Sequence, residues 1–219
     1  MARPVGTLAL KISEIFLSLQ GESSRVGLPT VFVRLTGCPL RCVWCDTSYA
    51  FSGGQTLSLP DILAEVARHR VTHVCVTGGE PLAQPACLDL LRELCNAGYS
   101  VSLETSGALD IGSVDRRVSR VVDLKAPGSG ECARNHWPNL ALLTSSDELK
   151  FVLRDRADYE WARAQVVERQ LAAVCSLLVS PVAGELEAAT LADWIIEDRL
   201  PVRFQLQLHK LLWGNLRSR

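Results

Sequence analysis

The sequence predicts an α/β protein in which about six to seven parallel strands form a partial (open), TIM-like βα barrel. Short β-branched runs alternate with amphipathic helical stretches, and unusual polar residues follow the strands rather than the helices. Strands spaced by helices form parallel βαβ units, and repeated right-handed crossovers curl such units into a barrel. A flat doubly wound sheet is the alternative, and no glycine-rich dinucleotide loop follows the first predicted strand to favour it.

The elements are predicted from hydrophobic periodicity and from turn signals. The predicted strands cover residues 30–35, 73–77, 101–104, 120–125, 148–153, 174–179 and 203–208. A helix is predicted to begin after Ser58, which can cap it, because Pro60 suits a first turn and Asp61 completes a capping-box pattern. Further helices are predicted over residues 85–97, 157–171 and 186–199, the first of them stopped by Gly98.

Length, charge and cysteine content narrow the class of protein. The 219 residues suit a single domain over 1–219, with an N-terminal extension to about residue 29 and a C-terminal tail from about residue 209. The formal net charge of −1 provides no general attraction to nucleic acid or anionic membrane. Eight cysteines, with neither a signal peptide nor a transmembrane run, predict a reducing cytoplasm.

Three cysteines, Cys38, Cys42 and Cys45, follow the first predicted strand with C-x3-C-x2-C spacing. Three thiolates on one loop can ligate three corners of a cubic iron–sulfur cluster, and the fourth iron then stays open to a small molecule. A structural zinc site is the alternative, although no further Cys or His stands at finger-like spacing. The remaining cysteines are predicted to be small buried hydrophobes at Cys75, Cys87, Cys95 and Cys175, with Cys132 unassigned.

Chemistry-bearing residues follow most of the predicted strands. After the cysteines they occupy residues 78–81 (GGEP), 104–107 (ETSG), 123–125 (DLK), 180–181 (SP) and 207–210 (QLHK). Because the carboxyl ends of barrel strands meet at one rim, these scattered residues are expected to form one composite site.

Within that set, the two glycines of the GGEP stretch let backbone approach a ligand, and Glu80 could pair with an ammonium group. The alternative for this stretch is a plain strand-to-helix turn. The carboxylate and hydroxyls of residues 104–106 suit ribose or amino-acid contacts, or else a solvated strand end and a turn.

The basic residues near the strand ends, and a histidine near the C-terminus, have different predicted roles. Arg34 lies inside an apolar strand, where an inward guanidinium needs a partner such as a ligand carboxylate. Lys125 and Lys150 are at strand ends, where lysines are usually snorkelling surface residues. His209 is by default a structural histidine.

The cysteine spacing and the GGEP stretch resemble the radical S-adenosylmethionine superfamily. A narrower resemblance, to the 7-carboxy-7-deazaguanine synthase family, runs from about residue 10 to residue 213. It is carried by residues 18–22 (SLQGE), 32–38 (FVRLTGC), 45–47 (CDT), 77–81 (TGGEP), 123–125 (DLK), 148–152 (ELKFV) and 207–210 (QLHK). It implies a homodimeric enzyme of queuosine biosynthesis that converts 6-carboxy-5,6,7,8-tetrahydropterin to 7-carboxy-7-deazaguanine with loss of ammonia.

The same resemblance implies ligands for individual residues. Cys38, Cys42 and Cys45 would hold a [4Fe-4S] cluster, and Thr47 would help to bind magnesium. S-adenosylmethionine would be held by Gly79, Glu104, Thr105, Ser106, Asp123, Leu124, Lys125, Ser180, Pro181, Val182 and Ala183. The pterin would be held by Leu19, Gln20, Gly21, Glu22, Arg34, Thr77 and His209. A flavodoxin- or ferredoxin-type protein would supply the electron, with no direct nucleic-acid or membrane partner.

The chain departs from the family pattern at three places. Ser23 stands where many members carry glycine, Asp123 and Leu124 stand where others have Ser-Pro, and a tail extends past residue 210. The competing functions are a glycyl-radical enzyme activase, which shares the cysteine motif, a zinc-stapled binding module, and a homologue that has lost activity.

Overall fold

The structure is a computed structural model that describes residues 8–214 and 216–218. Residues 1–7 of the predicted extension, and Asn215 and Arg219 of the predicted tail, lie outside the described residues. The strands are β1 (Ala9–Leu19), β2 (Pro29–Leu35), β3 (Gln55–Ser58), β4 (His73–Gly78), β5 (Ser100–Thr105), β6 (Ser119–Asp123), β7 (Glu148–Leu153), β8 (Ser176–Pro181) and β9 (Arg203–Phe204). The α-helices are α1 (Leu59–Arg68), α2 (Cys87–Asn96), α3 (Arg156–Glu168), α4 (Ala188–Glu197) and α5 (Leu208–Trp213).

All the described strands belong to one sheet, in the order β3-β1-β2-β4-β5-β6-β7-β8-β9. Strands β2 and β4 through β9 pair in parallel, whereas β1 pairs antiparallel with both β2 and β3. Within the described residues the sheet does not close on itself. The predicted open α/β sheet of six to seven parallel strands is therefore confirmed, with two antiparallel strands added at one edge.

The two faces of the sheet have different chemistry because side chains alternate along a strand. The face packed against α1–α4, called the helix face below, carries apolar core residues such as Val74 and Val76 of β4, and Leu149 and Phe151 of β7. The opposite face, called the site face, is defined by residues that alternate with these: Phe32, Arg34, Thr77, Glu104, Asp123, Lys150 and Val152.

Local signals at the helix ends agree with the sequence prediction. The Ser58 hydroxyl accepts a hydrogen bond from the Asp61 N–H (3.3 Å), with Pro60 in the first turn of α1. Gly98 follows α2 with φ of +88°, a left-handed conformation that glycine tolerates best.

The predicted strand over residues 203–208 is wrong after Phe204. The Gln205 N–H still donates to Val179 (2.9 Å), but Leu208 donates to the Gly21 carbonyl (3.0 Å) and begins α5. Tertiary hydrogen bonds to the segment after β1 thus replace the sheet ladder. The predicted strand over 120–125 also ends early, because β6 stops at Asp123.

Strands β1 and β3 were not predicted. Strand β1 lies beside β2 with Glu14 opposite Arg34, and the rings of Phe16 and Phe32 stack at 5.1 Å between centroids. Residues 9–19 of the predicted N-terminal extension are therefore part of the sheet. No helix in the described part of the chain is long and apolar enough to cross a bilayer.

The cysteines outside the triplet mostly follow the prediction. Cys75, Cys87 and Cys175 are buried, whereas Cys95 is only partly buried, and all eight cysteines are free thiols.

Candidate active site

A cavity of about 520 Å³ opens at the carboxyl ends of the parallel strands. Nineteen of the predicted site residues line it: Leu19, Gln20, Gly21, Glu22, Arg34, Cys38, Cys42, Cys45, Thr47, Thr77, Gly79, Glu104, Thr105, Ser106, Asp123, Lys125, Val182, Ala183 and His209. Leu124, Ser180 and Pro181 are buried but do not line it. The structure thus brings the strand ends together in one site, as expected from a barrel.

The cysteine loop after β2 is held by backbone contacts from other loops. Gly37, at φ of +100°, donates to the Ala50 carbonyl (2.7 Å). The Arg41 N–H donates to Glu131 (2.6 Å), and the Val43 N–H donates to the Ser129 carbonyl (3.1 Å). The contacts to Glu131 and Ser129 come from the loop after β6, whereas Ala50 belongs to the segment that follows the cysteines, so the thiol loop is held from both sides.

The thiols themselves fit an iron–sulfur cluster. Cys38, Cys42 and Cys45 are free, partly buried, and face the same cavity. Burial raises the pKa of Cys38 and of Cys42, which disfavours the free thiolates. Three soft sulfur donors in a partly buried pocket are the donor set that iron–sulfur clusters use.

The glycine-rich stretch after β4 packs tightly against the cysteine loop. A Cβ at Gly79 would collide with the Gly37 carbonyl and lie 2.8 Å from Cys38 Cβ. The Glu80 N–H donates to the same Gly37 carbonyl (2.7 Å). Only glycine lets the two loops pack this closely, and Gly79 also lines the cavity, so this stretch, called the glycine cradle below, presents bare backbone beside the thiols, which fits a small cofactor bound there.

Arg34 reaches the cavity from the site face, but its nearest anionic partner is internal. Its Nε donates to Glu14 Oε1 (2.7 Å), and the same oxygen accepts from the Tyr49 hydroxyl (2.8 Å). Burial and the adjacent Glu14 carboxylate raise the pKa of Tyr49 to about 12. Glu14 and Tyr49 were not predicted: Glu14 lies on β1, an unpredicted strand, and Tyr49 lies in the segment that follows the cysteines.

Glu104 stands with the predicted pterin group rather than with the cofactor group. Its carboxylate accepts hydrogen bonds from Gln20 Nε2 (3.2 Å) and from the Thr77 hydroxyl (3.0 Å). Both donors were predicted to hold the pterin. The carboxylate is therefore fixed in the cavity lining beside those two residues.

A chain of four charged residues crosses the cavity, and it corrects the prediction for the two lysines. Lys150 Nζ pairs with Glu22 (2.5 Å) and lies 3.8 Å from Asp123, which also pairs with Lys125 (2.9 Å). The Lys150 side chain is only 12% exposed, so it does not snorkel to solvent. Lys150 and Asp123 are register partners on β7 and β6, and alternation along β7 is the signal that places Lys150 on the site face.

This pairing fixes the charge state of Glu22. Burial alone would raise its pKa, but the Lys150 ammonium and the hydrogen bond from Gln207 Nε2 (2.6 Å) outweigh burial. The pKa of Glu22 falls to about 2, and the pKa of Lys150 rises in turn. Both groups are charged across the physiological pH range.

The segment over residues 20–28, called the floor loop, joins the site face to the C-terminal part of the chain. Ser23 has φ of +68°, a left-handed conformation that glycine adopts more easily than other residues. The Gln205 amide accepts from the Ser23 N–H (2.9 Å) and donates to its carbonyl (2.7 Å). The Ser24 N–H donates to Glu148 at the start of β7 (2.9 Å).

His209 and Thr47 also line the cavity. His209 is brought there by the short α5 helix, and it packs so closely on Gly21 that a Cβ at Gly21 would collide with its ring. Burial lowers the pKa of His209, which favours the neutral imidazole. The Thr47 hydroxyl lies 3.8 Å from Cys45 Sγ.

Comparison with known proteins shows the family of the chain. The family described as "Radical SAM superfamily" matches residues 32–169. The 7-carboxy-7-deazaguanine synthase of Chlorobaculum tepidum is 44% identical over 208 residues, which cover 94% of each chain. The enzyme of the same name from Koribacter versatilis is 43% identical, with 93% of this chain and 97% of that one covered.

A solved structure supports the fold independently. The crystal structure of QueE from Escherichia coli superposes with a TM-score of 0.69 at 24% identity, covering 92% of this chain and 95% of that chain. Radical SAM proteins use a [4Fe-4S] cluster and S-adenosylmethionine, and the thiols and the glycine cradle described above fit both groups. The chain is therefore a member of the 7-carboxy-7-deazaguanine synthase family within the radical SAM superfamily.

Proposed function

We propose that this chain converts 6-carboxy-5,6,7,8-tetrahydropterin to 7-carboxy-7-deazaguanine with loss of ammonia, as a step of queuosine biosynthesis. The observation that carries the proposal is a single cavity lined both by the three thiols and by all seven residues predicted to hold the pterin. The names of the relatives at 43–44% identity support the same reaction.

Charged groups on opposite sides of the cavity suit a pterin carboxylate. Arg34 would bind the substrate carboxylate, because Glu14 occupies its Nε and the planar guanidinium has further N–H donors to offer. Glu104 and the ionised Glu22 would accept hydrogen bonds from the amino and ring N–H groups of the pterin. Neutral His209 would close the same end of the cavity.

The cofactors would occupy the other end. Cys38, Cys42 and Cys45 would ligate the cluster, while S-adenosylmethionine would be held by those of the predicted residues that line the cavity beside the thiols: the Gly79 backbone, Thr105, Ser106, Asp123, Lys125, Val182 and Ala183. Together these groups supply the radical chemistry when they are bound. The chain itself fixes the relative positions of the ligands and limits the access of water to the reacting atoms.

Four further features belong to the same proposal. The Thr47 hydroxyl would be a protein ligand of Mg²⁺, with water and the substrate carboxylate completing the shell, because Mg²⁺ commonly retains waters. Asp46, next to it, is paired with Lys210 (3.1 Å). We also propose a homodimer, a flavodoxin- or ferredoxin-type electron donor and a cytoplasmic location.

The test is anaerobic reconstitution with iron, sulfide and reductant, followed by S-adenosylmethionine and the carboxytetrahydropterin. We expect about four irons with inorganic sulfide per chain and release of the deazaguanine product. A reduced, cluster-loaded protein that forms no product would overturn the proposed reaction. Zinc in place of iron would favour a binding module, whereas cleavage of S-adenosylmethionine only with a protein substrate would favour an activase.

A further inference from the structure

The carboxylate of Glu80 is fully buried and is absent from the cavity lining, although its neighbour Gly79 lines the cavity. Within the described residues no cation lies within ion-pair distance of Glu80. The earlier expectation that Glu80 could pair with a ligand ammonium therefore has no support from this arrangement. Its oxygens are instead directed at the chain itself.

Four donors converge on this carboxylate. The Thr105 hydroxyl lies 2.9 Å from both oxygens, the Ser106 N–H donates at 2.7 Å, and the Leu82 N–H donates at 3.0 Å. The Ser106 hydroxyl also donates to Oε2. Hydrogen bonds to an ionised acceptor are stronger than neutral ones, so this is a firm attachment of the loop after β5.

The backbone of the same residue is attached to the cysteine loop. The Glu80 N–H donates to the Gly37 carbonyl (2.7 Å), one residue before Cys38, and the Gly79 N–H donates to Leu35 (3.2 Å). One residue therefore bridges two walls of the cavity, the wall that carries the thiols and the wall that carries Thr105 and Ser106.

The sheet does not provide this link. The pairing of β4 with β5 ends at Val76 and Leu103, two residues before Thr105. Beyond that pair the ladder between the two strands has ended, and the Glu80 carboxylate supplies hydrogen bonds to Thr105 and Ser106 instead.

We propose that Glu80 is a positioning residue that sets the distance between the cysteine loop and the Thr105–Ser106 wall, and so shapes the pocket for the adenosyl part of the cofactor. The inference rests on the proposed function for the identity of the cofactor. It does not depend on which substrate the enzyme turns over, because its test is a binding measurement.

The test compares reconstituted wild type with Glu80→Gln, which keeps the size of the side chain but replaces one acceptor oxygen by a donor. Because two of the hydrogen bonds to a charged acceptor are lost or reversed, we expect S-adenosylmethionine to bind about tenfold more weakly to Glu80→Gln. Binding is read from the change in the electron paramagnetic resonance spectrum of the reduced cluster on titration. Iron content is expected to stay at the wild-type level, and Glu65→Gln on the outer surface of α1 is the matched control.

A second ligand separates positioning from direct contact. 5′-Deoxyadenosine lacks the ammonium group, so a Glu80 that contacted the ammonium would leave its affinity unchanged in Glu80→Gln. If Glu80 is a positioning residue, its substitution weakens the binding of 5′-deoxyadenosine and of S-adenosylmethionine by the same factor. Unchanged affinity for both ligands, or a loss confined to S-adenosylmethionine, would overturn the proposal.

Should Glu80→Gln fail to retain the cluster, Glu80→Asp provides the same comparison without changing a residue that lines the cavity. It keeps the carboxylate but shortens the side chain by one methylene, which withdraws the oxygens from Thr105 and Ser106 and leaves the Glu80 N–H attachment to Gly37 intact. Weaker binding of both ligands, with normal iron content, is the supporting outcome, and wild-type affinities for both are the contrary one.

Discussion

The two faces of the sheet follow different rules although the same strands build them. On the helix face, Leu149 and Phe151 are fully buried among other apolar side chains. On the site face, Lys150 lies between them in sequence and is paired with Glu22 across the cavity. A parallel strand that is covered on both sides is normally apolar throughout, so the interleaved charges identify the face that receives ligands.

The difference is also energetic. Each large side chain on the helix face contributes about 1.5–3 kcal/mol through burial, largely independently of its orientation. Charges on the site face stabilise the fold only while each has its partner, because an isolated buried charge is strongly unfavourable. Substitutions on the helix face are therefore expected to lower stability and to spare activity. Substitutions on the site face are expected to lower activity.

The largest difference between the two faces should be seen when one cysteine on each is replaced by alanine. Cys42→Ala removes one of the three proposed cluster ligands, so we expect iron content and turnover to be lost together. Cys87→Ala, buried on α2 in the helix-face core, should keep both and lower the unfolding free energy by about 1 kcal/mol. Iron analysis measures cluster loading, product formation measures turnover, and urea unfolding measures stability in both variants. Full iron loading of Cys42→Ala would contradict the assignment of the site face.

Adjacent residues on β7 give a sharper comparison. Leu149→Ala should lower the unfolding free energy by about 2–5 kcal/mol while the enzyme stays active at low temperature. Lys150→Met should reduce both stability and turnover, because Glu22 is left buried without its cation. The double variant Glu22→Gln/Lys150→Met should regain most of the stability but not the turnover. If turnover also returned, the ion pair would be purely structural.

The pH dependence of stability should differ between buried and exposed carboxylates. The folded pKa of Glu22 is about 2, below its ordinary value of 4.5, so the unfolded chain takes up the proton first as the pH falls. Its contribution is complete above about pH 4.5 and is lost towards pH 2, at about 1.4 kcal/mol per pH unit.

Glu22→Gln should therefore flatten the acid limb of the unfolding free energy. Asp115 is the matched exposed case, since its hydrogen bonds from Arg117 lower its pKa to about 2 at the surface. The effect of Asp115→Asn should shrink in high salt, whereas the effect of Glu22→Gln should persist. Equal salt sensitivity in the two variants would argue against a buried pair.

The smallest expected change in unfolding free energy concerns Ser23 in the floor loop. Ser23→Gly should change the unfolding free energy by less than about 1 kcal/mol, because relief at φ of +68° is offset by greater freedom of the unfolded chain. Ser23→Val should cost about 1–3 kcal/mol, because a β-branched residue is strained in that conformation. Thermal unfolding of both variants measures the difference, and wild-type stability of Ser23→Val would contradict the left-handed backbone.

Most of the parallel strands were predictable because their apolar runs and helix caps are local signals, as Ser58 and Gly98 illustrate. The convergence of the strand ends was also predictable, since it follows from the connection rules of parallel sheets. The end of β9 was not, because the Gln205 side chain binds Ser23, 182 residues earlier in the chain, and Leu208 turns to the Gly21 carbonyl. Strand β1 was not predicted because polar residues occur on both of its faces, so its sequence lacks a clear alternation of apolar and polar residues.

By itself, the sequence determined the alternation of strands and helices, the three-thiol loop and the identity of the residues gathered at the rim. These depend on periodicity and spacing, which are properties of neighbouring residues. Only the tertiary structure decided the partners of the charges: Glu14 for Arg34, Glu22 for Lys150, and Thr105 with Ser106 for Glu80. Electrostatic partners are set by distance in space, and residues as far apart as Glu22 and Lys150 meet only once the sheet has curled.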